Sequence, residues 1–130
     1  MILLDTHAWL WWVTNAPELP ASLRAAIGSA TEPVAVASVS CLEVAWLAKK
    51  GRIVLPVSVE EFFDRAIDQA GFQLLPLTPK IAARSTSLPD IHRDPIDRVL
   101  VATAIEFDAG LATKDAAIRS YPGVRLLWDK

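Results

Sequence analysis

At 130 residues, 52% of them apolar, the chain has the length and composition of one domain with a substantial core, unlike a disordered segment. Its longest apolar runs, such as Val99–Ile105, are too short to span a bilayer, Asp5 stops the opening Met-Ile-Leu-Leu, and the single Cys41 excludes an internal disulfide, so a reducing, cytoplasmic setting is expected. The formal charge of −2, from 13 Lys plus Arg against 15 Asp plus Glu, lacks the basic footprint usual in proteins that bind nucleic acid.

Ile2–Leu4 reads as a short buried strand and Thr6–Val13 as a Trp-rich helix, with Asp5 between them. A second helix is expected over Leu19–Ala30, after Pro17, and Pro33 with the β-branched Val34–Ala37 marks the next strand. The third helix spans Ser40–Lys50, because Ser40 and Glu43 have the S-x-x-E spacing of a capping box and Gly51 stands where a left-handed cap closes a helix. Val54–Val57, broken by Pro56, is an extended link. Ser58 and Glu61 repeat the capping-box spacing before a helix over Phe62–Ala70 that Gly71 closes, and Phe72–Leu77 is a strand. Thr78-Pro79 opens a helix to about Ser87, followed by the connection Leu88–Arg93. Asp94-Pro95 opens another, running to Asp108 or Ala109 and ended by Gly110. Strand Leu111–Thr113, Asp115, a short helix and strand Val124–Leu127 follow.

This alternation predicts an α/β fold: a central, mainly parallel sheet flanked by helices on both faces. In such a sheet functional groups gather at the carboxyl ends of the strands. Asp5 follows the first strand and Asp115 the late one, while Glu43 and Asp97 are placed in the first turns of two helices, so the four acids are expected to converge. Acids drawn together repel unless a hard divalent cation, Mg²⁺ or Mn²⁺, supplies the opposite charge. With the four neutralised in this way, Lys and Arg would slightly outnumber the remaining acids.

Local explanations compete. Glu43 serves as the third residue of a capping box, Asp97 as a dipole-stabilising acid behind the N-cap Asp94, and Asp115 as the cap of its short helix. Asp5 has no such explanation, since an acid directly after a buried strand gains little unless it is paired, hydrated or bound to metal. For His7 and His92, contact with substrate or metal competes with an ordinary surface or hydrogen-bonding role, and the lack of ligand-spaced partners favours the latter. Arg98, beside Asp97, either pairs with the acids or holds a phosphate. Trp9 and Trp12 share one helix face and read as packing rather than as platforms for RNA bases.

Four ordered blocks resemble the PIN domain family and, within it, the small VapC-type toxins of bacterial toxin–antitoxin pairs. They are Leu3-Leu4-Asp5-Thr6-His7, Ser40-Cys41-Leu42-Glu43-Val44, His92-Arg93-Asp94-Pro95-Ile96-Asp97-Arg98 and Leu111-Ala112-Thr113-Lys114-Asp115. The resemblance covers the whole chain as a single domain over residues 1–130. It implies a Mg²⁺- or Mn²⁺-dependent endoribonuclease whose catalytic, metal-holding quartet is Asp5, Glu43, Asp97 and Asp115, with Thr6, Asp94, Arg98 and Thr113 as supporting residues. Attack by metal-activated water would leave 5′-phosphate and 3′-hydroxyl ends. RNA as substrate, a VapB-like antitoxin as inhibitory partner and a homodimer are implied with it. Two other classes stay open: a PIN-like module that binds RNA or protein without cutting, and a small metal-dependent phosphatase with Asp5 as nucleophile. The latter usually places a second Asp where this chain has His7.

Overall fold

The computed structural model describes residues 1–128. Five short strands, β1 (Ile2–Leu4), β2 (Val34–Ala37), β3 (Gln73–Leu75), β4 (Gly110–Ala112) and β5 (Arg125–Leu126), form one sheet in the order β3-β2-β1-β4-β5. Every neighbouring pair is parallel. Helices α1 (Thr6–Val13) and α2 (Ala21–Gly28) connect β1 to β2, and α3 (Ser38–Lys49) and α4 (Val59–Phe63) lead towards β3. Between β3 and β4 lie α5 (Pro79–Ser87) and α6 (Pro95–Glu106), and α7 (Ala116–Arg119) precedes β5.

Strand side chains alternate between the two faces, so β1 sends Ile2 and Leu4 one way and Leu3 the other. On the first face Ile2, Leu4 and Val36 pack with Trp9 of α1, Leu23 and Ile27 of α2 and Phe62 of α4. On the second, Leu3, Ala35 and Leu111 pack with Ile81 of α5, Val99 to Ala102 of α6 and Ile118 of α7. Both faces are covered, as an all-parallel sheet requires. No helix among the described residues is long and apolar enough to cross a membrane.

The structure moves several expected boundaries. Only the extended Ala37 (φ −83°, ψ 144°) separates β2 from α3, so α3 begins at Ser38 and takes Ser40 into its interior. Ser40 therefore forms no capping box with Glu43; it is fully buried, and its hydroxyl accepts from Thr6 Oγ1 at 3.0 Å. Glu43 consequently sits in the second turn of α3 rather than the first. Helix α2 starts only at Ala21, since a residue before proline, here Leu19, is disfavoured in the helical region. The helix expected over Phe62–Ala70 begins at Val59, capped by Ser58 Oγ accepting from Glu61 N at 3.1 Å, and widens to a π-type turn over Asp64–Asp68. At that turn the Ala66 carbonyl accepts from the buried Trp9 indole N–H at 3.0 Å. Strand β3 stops at Leu75 because Pro76 has no N–H for a ladder.

Gly110 opens β4 instead of closing α6, whose exit is turned by Asp108 in the left-handed region (φ 48°). A Cβ at Gly110 would lie 2.8 Å from the Leu127 side chain, so the close approach of the 127 segment to β4 needs glycine.

Candidate metal and catalytic site

Strands β1 and β4 are neighbours at the middle of the sheet, and both chains leave its carboxyl edge beside each other; the Asp5 N–H donates to the Ala112 carbonyl at 3.1 Å. Asp5 and Asp115 thus stand at the point where the strand order reverses, the usual crevice of an open parallel sheet. Glu43 arrives from α3 and Asp97 from the first turn of α6. All four line one cleft of about 530 Å³, together with Asp94 and Lys114.

Each acid is held differently. Asp5 is 7% exposed and caps α1, its Oδ1 accepting from Ala8 N at 2.8 Å, so it does have the local role that its sequence position hid. Burial raises the pKa of its carboxyl above the ordinary range, opposed by the Thr113 hydroxyl and the Ala8 N–H. Asp115 caps α7 through Oδ1 and Ile118 N at 3.0 Å, while its own N–H donates to Thr113 Oγ1 at 3.1 Å. Asp94 caps α6, accepting from Ile96 N at 2.9 Å. Asp97 makes no capping bond. Burial, reinforced by the charges of Asp94, Glu43 and Asp115, pushes its pKa up to about 7 even though His92 opposes the shift.

Glu43 is the most telling. Its Oε1 is buried and has no hydrogen-bond partner. A half-satisfied carboxylate facing other acids is costly unless something positive completes it.

Two of the supporting residues behave otherwise than their sequence positions suggest. The Thr6 hydroxyl donates to Ser40 rather than to a carboxylate, tying α1 to α3. Arg98 neither pairs with the acids nor stands free for phosphate. Its Nε donates to Ser85 O at 3.0 Å, Nη2 to Leu88 O at 2.9 Å, and Nη1 to Pro89 O at 3.0 Å and His92 O at 3.2 Å. It therefore organises the connection between α5 and α6. Lysine offers no planar fork for these carbonyls, so Arg98→Lys is expected to cost about 1–2 kcal/mol in urea unfolding. His92 is a hydrogen-bonding residue, as expected, but nothing in the sequence pointed to the cleft acids as its partners. Its Nε2 lies 3.0 Å from Asp97 Oδ2 and 3.4 Å from Asp115 Oδ2. In the sequence it is marked by its place two residues before the Asp94 cap and at the head of the third block.

The donor set is mainly carboxylate oxygen, which suits hard cations such as Mg²⁺ and Mn²⁺ better than soft metals. The orphaned Glu43 oxygen and the raised pKa of Asp97 describe a site short of positive charge, so these residues fit a divalent ion.

A sequence profile of the PIN domain family matches residues 2–124. The chain belongs to the PIN domain family. Over 121 residues, covering 92% of this chain and 91% of the relative, this PIN domain is 37% identical to Ribonuclease VapC22 of Mycobacterium tuberculosis, and it is a VapC-type member of the family. Its fold is similar to that in DNA-bound VapBC from Salmonella typhimurium, with a TM-score of 0.73 at 17% identity over 98% of each chain. It is also similar to VapBC2 from Rickettsia felis bound to a promoter DNA fragment, with a TM-score of 0.70 at 17% identity over 99% and 100% of the two chains.

Proposed function

We propose that this PIN domain is a Mg²⁺- or Mn²⁺-dependent endoribonuclease, the toxin of a toxin–antitoxin pair, in which Asp5, Glu43, Asp97 and Asp115 hold the metal. That it is a nuclease follows from its family and its identity with a ribonuclease across nearly the whole chain. The observation that carries the metal reading is Glu43 Oε1, buried without a partner in a cleft shared with three other carboxylates. A bound divalent cation would supply Lewis acidity for the phosphate and a more acidic water.

The chain's own residues prepare the place. The Ala8 and Ile118 N–H groups fix Asp5 and Asp115 through one oxygen each, while Thr113 sits between these two acids. Thr6 and Ser40 lock α1 against α3 and so hold Asp5 and Glu43 in register. Lys114, on the cleft wall, provides a cation for an RNA phosphate. Asp94 acts as a helix cap at the cleft's edge.

The partner assignment draws on relatives. Structures of similar fold include a toxin–antitoxin complex from Klebsiella pneumoniae. For this chain we infer a VapB-like antitoxin, a homodimeric state and a cytoplasmic setting, the last in keeping with its single free cysteine. A second cleft of about 940 Å³, lined by Leu10, Leu47, Ile53, Leu55 and Phe62, adjoins the acidic one through His7 and Trp11 and has room for an apolar protein segment.

Incubating purified protein with total RNA and Mg²⁺ or Mn²⁺ is expected to yield fragments with 5′-phosphate and 3′-hydroxyl ends, and none with EDTA. End-group analysis that finds 2′,3′-cyclic phosphates would mean that the ribose hydroxyl attacks, against this mechanism. A covalent aspartyl-phosphate on Asp5 would move the protein to the phosphatases.

A further inference from the structure

His92 stands where a metal-ligating histidine would stand. Its Nε2, Asp97 and Asp115 offer ligand atoms all within 4.8 Å of one another. The other side of the ring decides between ligand and donor. The backbone N–H of Asp94 donates to His92 Nδ1 at 3.1 Å. A backbone N–H is only ever a donor, so Nδ1 must carry a lone pair, and the single proton of the neutral imidazole is on Nε2. A histidine that ligates metal shows the reverse arrangement: the nitrogen facing the ion is bare, and the other ring N–H donates to a carboxylate, carbonyl or water.

The surroundings hold this orientation. A half-turn of the ring would set a carbon against the Asp94 N–H and lose that bond. The His92 backbone is fixed on both sides, its N–H donating to Tyr121 Oη at 2.9 Å and its carbonyl accepting from Arg98 at 3.2 Å. Asp94 itself is fixed as the cap of α6.

The geometry points to His92 as a positioning residue: its Nε2–H faces Asp97 Oδ2 and Asp115 Oδ2 and holds them towards one another, leaving the cation to the carboxylates. This rests on the metal reading above and assigns the imidazole a task outside the ligand set. It agrees with the preference of Mg²⁺ for oxygen.

Long-range ¹H–¹⁵N spectra of histidine-labelled protein, without metal and with saturating Mg²⁺, read the tautomer directly. With only two histidines in the chain, His92→Gln assigns the signals. The expected result is Nε2–H in both conditions. In calorimetry His92→Ala is expected to weaken Mg²⁺ binding roughly 10-fold, while His92→Gln, which keeps an N–H donor of similar reach, restores most of it. A switch to Nδ1–H on adding Mg²⁺, or a glutamine variant as weak as alanine, would overturn the inference while leaving the metal reading intact. If the side-chain carboxyl signals of Asp97 and Asp115 ignore Mg²⁺, the metal reading fails and this inference with it.

Discussion

Asp97→Asn and Asp5→Asn proteins are expected to fold normally and to cut RNA slower by on the order of 10³-fold, the loss typical when a preorganised electrostatic element is removed. The two variants separate charge from architecture. Asparagine is as good an N-cap as aspartate, so Asp5→Asn keeps an oxygen for the Ala8 N–H and preserves the start of α1. Asp97 makes no capping bond, so the Asp97→Asn change takes little from α6. What both variants lose is a negative charge in the cleft. Initial rates on a defined RNA, with far-UV circular dichroism beside them, measure the effect. Full activity in both would place the chemistry elsewhere or in a contaminant.

The second large effect concerns stability without metal. The pKa of Asp97 is raised in the folded protein from an ordinary 3.8 to about 7, so the folded state binds its proton more tightly than the unfolded state does. The sign follows by linkage: this contribution to stability is fully present below about pH 4 and is lost as pH rises through about 7. Three units at 1.36 kcal/mol each give an upper limit of about 4 kcal/mol, and partial access of water to the side chain reduces it to roughly 2 kcal/mol. Asp5 shifts in the same direction. Glu106, whose pKa is lowered by its hydrogen bond to Lys80 and by Arg84, works the other way, so raw melting curves mix the two. The clean measure is the stability difference between Asp97→Asn and the natural sequence in EDTA, followed from pH 4 to pH 8. The asparagine variant is expected to gain steadily, and Mg²⁺ is expected to reverse that order above pH 7. A difference that stays flat with pH would mean that Asp97 is not held short of positive charge.

How far the sequence reached can be judged from single residues. The α/β order, the parallel sheet and the caps at Ser58, Thr78, Asp94 and Asp115 were legible because they depend on local patterns with definite hydrogen bonds. Glu43 and Asp5 show the limit. The spacing from Ser40 to Glu43 is that of a capping box, yet Ala37 carries β2 directly into α3 and Ser40 is drawn inside to meet Thr6, a residue 34 positions away. Glu43 is thereby deprived of the structural role that looked sound. Asp5, which seemed to have none, caps α1. Arg98 was misread because its partners are carbonyls of the 85–92 connection and the Tyr121 hydroxyl, which no short window of sequence brings together, whereas His92 does hydrogen-bond as expected, to an Asp115 that lies 23 positions away. Convergence of the four acids on one cleft was expected from topology alone, since strand ends and helix starts share one edge of such a sheet.

Diffraction from crystals soaked in Mn²⁺, recorded for its anomalous signal, locates the cation if Asp5, Glu43, Asp97 and Asp115 hold one. A peak is expected in the cleft within about 2.0–2.4 Å of carboxylate oxygens from Asp5, Asp97 or Asp115, with Glu43 turned towards it directly or through water. Crystals with intact, accessible clefts and no peak there, or a peak only at other acids, would contradict the metal reading.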